Sequence, residues 1–334
     1  MRAAVIGAGP AGFYTADQLL GAGFEVDLFD ALPTPFGLVR SGVAPDHPKI
    51  KSVTRVYEKT AKKPGFRFFG GVKLGEDISR AELLERYHAV VYAYGTADDN
   101  RLGIPGEDRP GSYAATEFVA WYNGHPDFAE HEFDLDGGRA VVVGNGNVAI
   151  DVARMLVLAQ EELAPTDTAD HALDAFGRST VDEVVLLGRR GPEQAAFTTP
   201  ELRELADLAR ADVVVEPFEP QLPDDASPTA RRNVEVLLDY AAREPQGRSH
   251  RIVLRFLRSP LEILGDARPA EALDGVVGRV GGRQLVGIEH QHPGDVDRDV
   301  AVADHDRTRR RQVELAVGVV GMAVVPSDEL GRRV

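Results

Sequence analysis

Two glycine-rich turns are the first residues whose types and spacing specify chemistry. Gly7-Ala8-Gly9-Pro10-Ala11-Gly12 fits G-x-G-x-x-G between an apolar segment, Ala3 to Ile6, and a segment of helical composition, Phe13 to Leu20. In that setting the first glycine permits a tight turn, the second lets a pyrophosphate approach the backbone, and the third lets helix and strand pack closely. The anion would sit on the helix N-terminus, where unpaired N–H groups and the dipole favour negative charge. Gly144-Asn145-Gly146-Asn147-Val148-Ala149 repeats the arrangement as G-x-G-x-x-A.

The strands that follow end in opposite charges. The first ends at Asp30, where a carboxylate can accept ribose hydroxyls; the second runs into Gly188-Arg189-Arg190-Gly191. A carboxylate repels a 2′-phosphate that paired guanidiniums clamp, so the second unit is expected to take NADP rather than NAD. His47, in a proline-bounded loop, is a candidate for proton exchange because imidazole ionises near neutrality. Glu201 follows Pro200 at an expected helix start, where the dipole alone favours an acid. Glu204, one turn on, could equally pair with Arg203 or a solvent cation.

The elements that must position these groups form two βαβ units. The first has strands at 2–6 and 25–29, followed by a Pro- and Gly-rich loop at 32–48, a helix from Ile50 to about Lys62, and short strands at 66–69 and 89–94. A linker is expected at 102–111. The second has a strand at 140–143, a helix to about Leu158, an extra short helix within 161–180 and a strand at 181–187. Further elements are a helix at 201–209, a strand at 212–215, a helix at 229–242 and a strand at 251–256. This is an α/β chain with two Rossmann-like, three-layer dinucleotide-binding domains, at 1–104 and 105–266, followed by a divergent tail at 267–334.

The 334 residues suffice for two cores. The absence of cysteine excludes a dithiol centre, a thiolate-held cluster and a Cys nucleophile in this chain, so redox chemistry must ride on a bound cofactor. A net charge of −15 argues against nucleic acid. No long apolar run suggests a membrane span, and the early first strand leaves no room for a signal peptide, so a cytoplasmic location is expected. Two stretches are basic nonetheless. Arg40 to Lys63 holds seven cations against two acids, and Arg231 to Arg258 holds seven arginines. Each is either a solvated face or a docking surface for an acidic protein.

Pro35-Phe36-Gly37-Leu38-Val39-Arg40-Ser41-Gly42-Val43-Ala44-Pro45-Asp46-His47-Pro48, with the second glycine turn and Gly188-Arg189-Arg190-Gly191-Pro192, closely resembles ferredoxin-NADP reductases of the adrenodoxin-reductase type. Phe197-Thr198-Thr199, Glu201 to Glu204 and Phe256 to Pro260 extend the likeness to about residue 266. The resemblance implies hydride transfer from NADPH to FAD and single electrons passed to a ferredoxin-type iron–sulfur protein. It implies FAD contacts at Ala11, Asp30, Leu38 and Val72, beside Gly7, Gly9 and Gly12. NADP contacts are implied at Asn145, Gly146, Asn147, Val148, Arg189, Arg190 and Glu201, and a proton-handling pair in His47 and Glu204.

Three departures stand against the family pattern. Asp30 replaces the usual Glu, Pro200 replaces an apolar residue, and the later Gly-Trp and Arg-Gly-Pro segment over the flavin has no counterpart. The change of pattern near Asp266 suggests a lost reading frame. Two other readings therefore remain: a flavin-free remnant that binds NADP without catalysis, and another two-dinucleotide flavoprotein such as a relative of the glutamate-synthase small subunit.

Overall fold

The structure, a computed structural model, describes residues 1–95 and 101–264, and beyond them only short strands at 274–277, 288–290 and 324–326. The chain forms two compact units, one of residues 1–43, 47–98 and 297–334, the other of residues 44–46 and 99–296.

The first unit begins with β1 (Arg2–Ile6), α1 (Pro10–Gly21) and β2 (Glu25–Asp30). Short helices α2 (Leu38–Ser41) and α3 (Pro48–Lys51) precede α4 (Thr54–Ala61), β3 (Phe66–Gly70), α5 (Arg80–Arg86) and β4 (Ala89–Tyr92). The strands lie in the order β4-β1-β2-β3, all parallel. A parallel sheet must be covered on both faces, which is why β1 reads as a nearly continuous apolar run; the acid inside β2, Asp27, is buried and paired with Arg67. Phe13 of α1 and Tyr57 of α4 cover one face, their rings stacked at 4.9 Å, and Leu83 of α5 covers the other. Each such fully buried side chain contributes roughly 1.5–3 kcal/mol.

Two local differences from the sequence reading have simple causes. The helix expected at 50–62 is broken after Lys51, where the Ser52 hydroxyl donates to Lys49 O at 2.6 Å and the Thr54 hydroxyl to Lys51 O at 3.0 Å. Such side-chain bonds compete with the helix ladder. Helix α5, unassigned from sequence, is started by a reciprocal capping box between Ser79 and Glu82.

The second unit runs through β5 (Ser112–Tyr113), α6 (Ala115–Tyr122), β6 (Arg139–Val143) and α7 (Asn147–Val157). It continues with α8 (Gln160–Leu163), α9 (Asp170–Arg178), β7 (Glu183–Gly188), α10 (Thr199–Glu204), β8 (Ala211–Val215) and α11 (Pro228–Ala241). Strands β9 (His250–Phe256), β10 (Arg258–Pro260), β11 (Asp274–Val277) and β12 (Ile288–His290) follow. The main sheet, β5-β11-β6-β7-β9-β8, is parallel throughout, and β10 pairs antiparallel with β12. Helices α6, α7, α9, α10 and α11 share one core on a single sheet face, built around Phe118, Trp121, Ile150, Leu202 and Tyr240. The interval 161–180 holds one short helix and most of another rather than a single one. In the first unit, β13 (Val324–Pro326) pairs antiparallel with β4. The rest of 267–334 lies outside the described residues. No helix among the described residues is long and apolar enough to cross a membrane.

Candidate functional site

In the first unit the glycine turn leaves the carboxyl end of β1. Gly7 has φ +105°, and a Cβ there would lie 2.5 Å from Ala93 O; a Cβ on Gly12 would lie 1.8 Å from Gly7 O. These two positions therefore admit only glycine. A Cβ on Gly9 would meet only Gly37 Cα, at 4.0 Å, so bare backbone faces open space at the N-terminus of α1. That is the cradle a pyrophosphate requires.

Asp30 ends β2 beside this turn and is already engaged by the backbone. Its Oδ2 accepts from the Ala8 N–H at 2.6 Å and its Oδ1 from the Leu32 N–H at 2.8 Å. Each oxygen retains a second lone pair for an outside hydroxyl. The loop after β2 folds back over the turn, where the Phe36 N–H donates to Ala8 O at 2.8 Å with Phe36 at φ +95°. That conformation costs a non-glycine residue on the order of 1–3 kcal/mol and concentrates at functional sites. The positive φ of Phe36 is a backbone feature that residue type does not mark, and sequence reading did not single it out.

Leu38 opens α2 with an exposed side chain. Val72 donates its N–H to Asp30 O at 2.9 Å and packs on the sheet, and Ala11 lies in the first turn of α1. His47 is buried rather than an open loop residue; it precedes α3, and its carbonyl accepts from the Ile50 and Lys51 N–H groups.

The second unit repeats the turn after β6. Gly146 precedes α7, and a Cβ there would meet nothing within 4 Å. Asn145 O accepts from the Ala196 N–H at 2.9 Å, and Asn147 Oδ1 accepts from the Thr198 N–H at 2.7 Å, so the turn is tied to the segment entering α10. Asn145 Nδ2 is buried without a hydrogen-bond partner among the described residues. An orphaned donor beside a bare-backbone turn suits an anionic or carbonyl-bearing ligand. Val148, in the first turn of α7, is exposed. Adjacent β7 carries Arg189 and Arg190 at its end, both exposed and without a side-chain partner among the described residues.

Arg154 of α7 organises the carboxylates of this unit. Its side chain is only 4% exposed, and its guanidinium meets Asp46, Asp151 at 3.5 Å, Glu201 at 3.7 Å and Glu204. A buried guanidinium requires such partners, because an unpaired charge in the interior is expensive. Glu204 thus pairs with Arg154, a partner that the sequence reading did not name. Glu201 follows the Thr198 N-cap of α10, whose hydroxyl accepts its N–H at 3.5 Å. The Tyr122 hydroxyl lies near this cluster with no hydrogen bond among the described residues. Burial, followed by the charges of Asp151 and Asp46, holds that phenol far above its ordinary ionisation range. Sequence reading missed Arg154, although a charge among Ile150, Ala153 and Val157, on the apolar stripe of α7, was the available signal.

The two basic stretches differ in how their charges are used. Arg231 donates to Pro223 O, Asp224 O and Ala226 O, Arg243 pairs with Asp239, and Arg248 binds Leu208 O and Ala211 O. Arg251 pairs with Glu183, and Arg255 and Arg258 share Glu216. Of that stretch only the exposed Arg232 has no side-chain partner among the described residues. In the first stretch Arg40 binds Pro35 O, Lys51 binds Arg40 O and Lys63 pairs with Asp17. Lys49, Arg55, Lys59 and Lys62 are exposed, with no side-chain partner among the described residues.

Residues 1–187 match the family described as pyridine nucleotide-disulphide oxidoreductase. The chain is 53% identical to the NADPH-ferredoxin reductase FprA of Mycobacterium leprae, over 79% of this chain and 61% of that protein. It is 49% identical to FprA of Mycobacterium tuberculosis, over 98% of this chain and 72% of that protein. With the mitochondrial NADPH:adrenodoxin oxidoreductase of Arabidopsis thaliana it shares 48% identity, over 72% of this chain and 52% of that protein. The solved structure of M. tuberculosis FprA in complex with NADPH superposes with a TM-score of 0.78 at 49% identity, covering 86% of this chain and 68% of that one. The chain thus spans between about half and three quarters of the length of these relatives.

Proposed function

This chain belongs to the pyridine nucleotide-disulphide oxidoreductase family, among relatives of the NADPH-ferredoxin reductases, and from that premise we propose that it is a cytoplasmic flavoprotein that takes a hydride from NADPH and passes single electrons to a ferredoxin-type iron–sulfur protein. The observation that carries the reading is the opposite charge at two otherwise equivalent strand ends: Asp30 beside the first glycine turn, Arg189 and Arg190 beside the second. One phosphate cradle thereby suits a dinucleotide with free ribose hydroxyls and the other suits one with a 2′-phosphate.

FAD would be held at Gly7, Gly9, Ala11 and Gly12, with Asp30 on its ribose and Leu38 and Val72 as apolar contacts. When bound, the flavin accepts two electrons as hydride and releases them one at a time, a conversion no side chain can perform. NADPH would be held with its pyrophosphate on the turn of Asn145, Gly146, Asn147 and Val148 and its 2′-phosphate between Arg189 and Arg190. Asn145 Nδ2, the orphaned donor, offers one further hydrogen bond there. Glu201 lies in the first turn of α10, tied to that turn through Asn147 and Thr198, and serves as a polar contact of the same dinucleotide.

The protein's own contribution is geometry and charge, since hydride transfer needs little acid–base work. Arg154 holds the Glu204 carboxylate in one orientation, which suits a group that stores or relays a proton. His47, buried and held at the head of α3, is assigned the same task in the first unit. The test is a visible absorption spectrum of the purified protein with NADPH:ferricyanide turnover. Flavin absorbance with NADPH-dependent reduction is expected. Colourless protein that still binds NADP would replace this reading with that of a noncatalytic NADP binder.

A further inference from the structure

The segment that enters α10 is strapped to the second glycine turn by three successive N–H groups. Ala196 and Phe197 donate to Asn145 O at 2.9 and 3.2 Å, and Thr198 donates to Asn147 Oδ1 at 2.7 Å. An acceptor that faces a pyrophosphate repels it, whereas a donor attracts it. The strap occupies two acceptors of the turn, so that the first N–H groups of α7, which have no partner within the helix, are left to meet the anion.

What holds the strap comes from α11. Asn233 is 1% exposed and shares the buried face of that helix with Val234, Leu237 and Tyr240. Its Nδ2 donates to Phe197 O at 2.9 Å, and its Oδ1 accepts from the Thr199 hydroxyl at 2.7 Å. The amide thereby grips the strap on both sides of Thr198, the residue bonded to Asn147. A buried amide adds little net stability over an apolar side chain of its size, but its fixed donor and acceptor specify one geometry. The tail of α10 has separate anchors: the Tyr240 hydroxyl donates to Leu202 O at 2.8 Å, and Arg154 pairs with Glu201 and Glu204. Losing the Asn233 grip therefore loosens the head of the segment and spares the carboxylates.

We propose that Asn233 and Thr199 are positioning residues for the nucleotide: through the strap at 196–198 they hold the turn of Asn145 and Asn147 in the shape that receives the pyrophosphate. The identity of the nucleotide rests on the proposed function. Because the pair acts on the pyrophosphate cradle and not on Arg189 or Arg190, it sets the affinity for both pyridine dinucleotides and leaves the preference between them unchanged.

The full chain is compared with N233L, T199V, T199S and the double variant T199V/N233L. Isothermal calorimetry with NADP+ reads affinity, ferricyanide reduction by NADPH and by NADH reads KM and kcat, thermal melts read stability, and hydrogen exchange by mass spectrometry reads the 196–198 backbone. N233L and T199V should each weaken NADP+ binding about five- to tenfold, raise the KM for both nucleotides by the same factor and hold kcat within about twofold. T199S keeps the hydroxyl and should stay within about twofold of wild type in affinity and KM. The double variant separates positioning from mere stability. Replacing both partners by apolar groups should restore much of the Tm lost in the single variants, while NADP+ affinity stays low and residues 196–198 exchange faster than in wild type.

Affinity that recovers together with Tm in the double variant would overturn the proposal, because the network would then support the fold alone. So would a KM that rises for NADPH and not for NADH. If N233L does not fold, T199V decides, and NADP+ binding as tight as in wild type overturns the proposal. A chain that binds NADP+ but reduces no ferricyanide defeats the proposed function alone, since calorimetry still judges the pair. A chain that reduces ferricyanide and binds NADP+ equally in every variant defeats the positioning role alone. Wild-type chain that binds no NADP+ defeats both.

Discussion

The two glycine turns share a backbone solution and differ in what the neighbouring strand end does. Asp30 is structural as well as available: two N–H groups of its own unit already donate to it, one of them within the turn. Arg189 and Arg190 hold nothing in their unit that the described residues reveal; they stand in solvent. The acid is therefore built into its cradle, and the arginines are added beside theirs. Changing the first should cost fold and ligand together, and changing the second should cost ligand alone.

The largest effect expected lies in the second unit, away from its arginine pair. Arg154→Met leaves four carboxylates, those of Asp46, Asp151, Glu201 and Glu204, without their shared cation. The cost should be about 3–5 kcal/mol, read as a fall in Tm. A variant as stable as wild type at neutral pH would remove the guanidinium from the unit's architecture.

Asp30→Ala comes next, at about 2–3 kcal/mol for two backbone donors deprived of a charged acceptor. Urea denaturation should register that loss together with weaker flavin retention. Loss of flavin at unchanged stability would make Asp30 like the arginines and erase the contrast. Arg189→Ala with Arg190→Ala should raise the KM for NADPH about 10–100-fold, leave that for NADH nearly unchanged and leave Tm within a degree or so. A comparable fall in Tm would show that the pair is structural.

The smallest effect is a gain. Tyr122→Phe removes a buried hydroxyl that has no hydrogen bond among the described residues. It should raise stability by about 1 kcal/mol in thermal melts. A loss of that size would show that the hydroxyl has a partner, such as an ordered water.

The cradles were legible in the sequence because their requirements are steric and local. Gly7 and Gly12 admit no side chain, so glycine spacing alone marks the turn. The charge at each strand end was legible for the same reason, since β2 and β7 end where their apolar runs end. Arg154 was not, because a partnership among residues 46, 151, 201 and 204 depends on how three segments converge. Phe36 was not, because its positive φ is imposed by the loop's return over the turn and leaves no mark in residue type. The break between α3 and α4 reflects two hydroxyl–carbonyl bonds that compete with the helix ladder. The unequal use of the basic stretches also escaped composition, which counts charges and is blind to their partners.

The central claim is that one unit holds a flavin and the other delivers electrons to it from a 2′-phosphorylated dinucleotide. Anaerobic titration of the purified protein, followed by visible absorbance, tests both halves at once. The account predicts a flavin spectrum that bleaches with stoichiometric NADPH and hardly changes with the same amount of NADH. Equal bleaching by both nucleotides, or no flavin band at all, would contradict it.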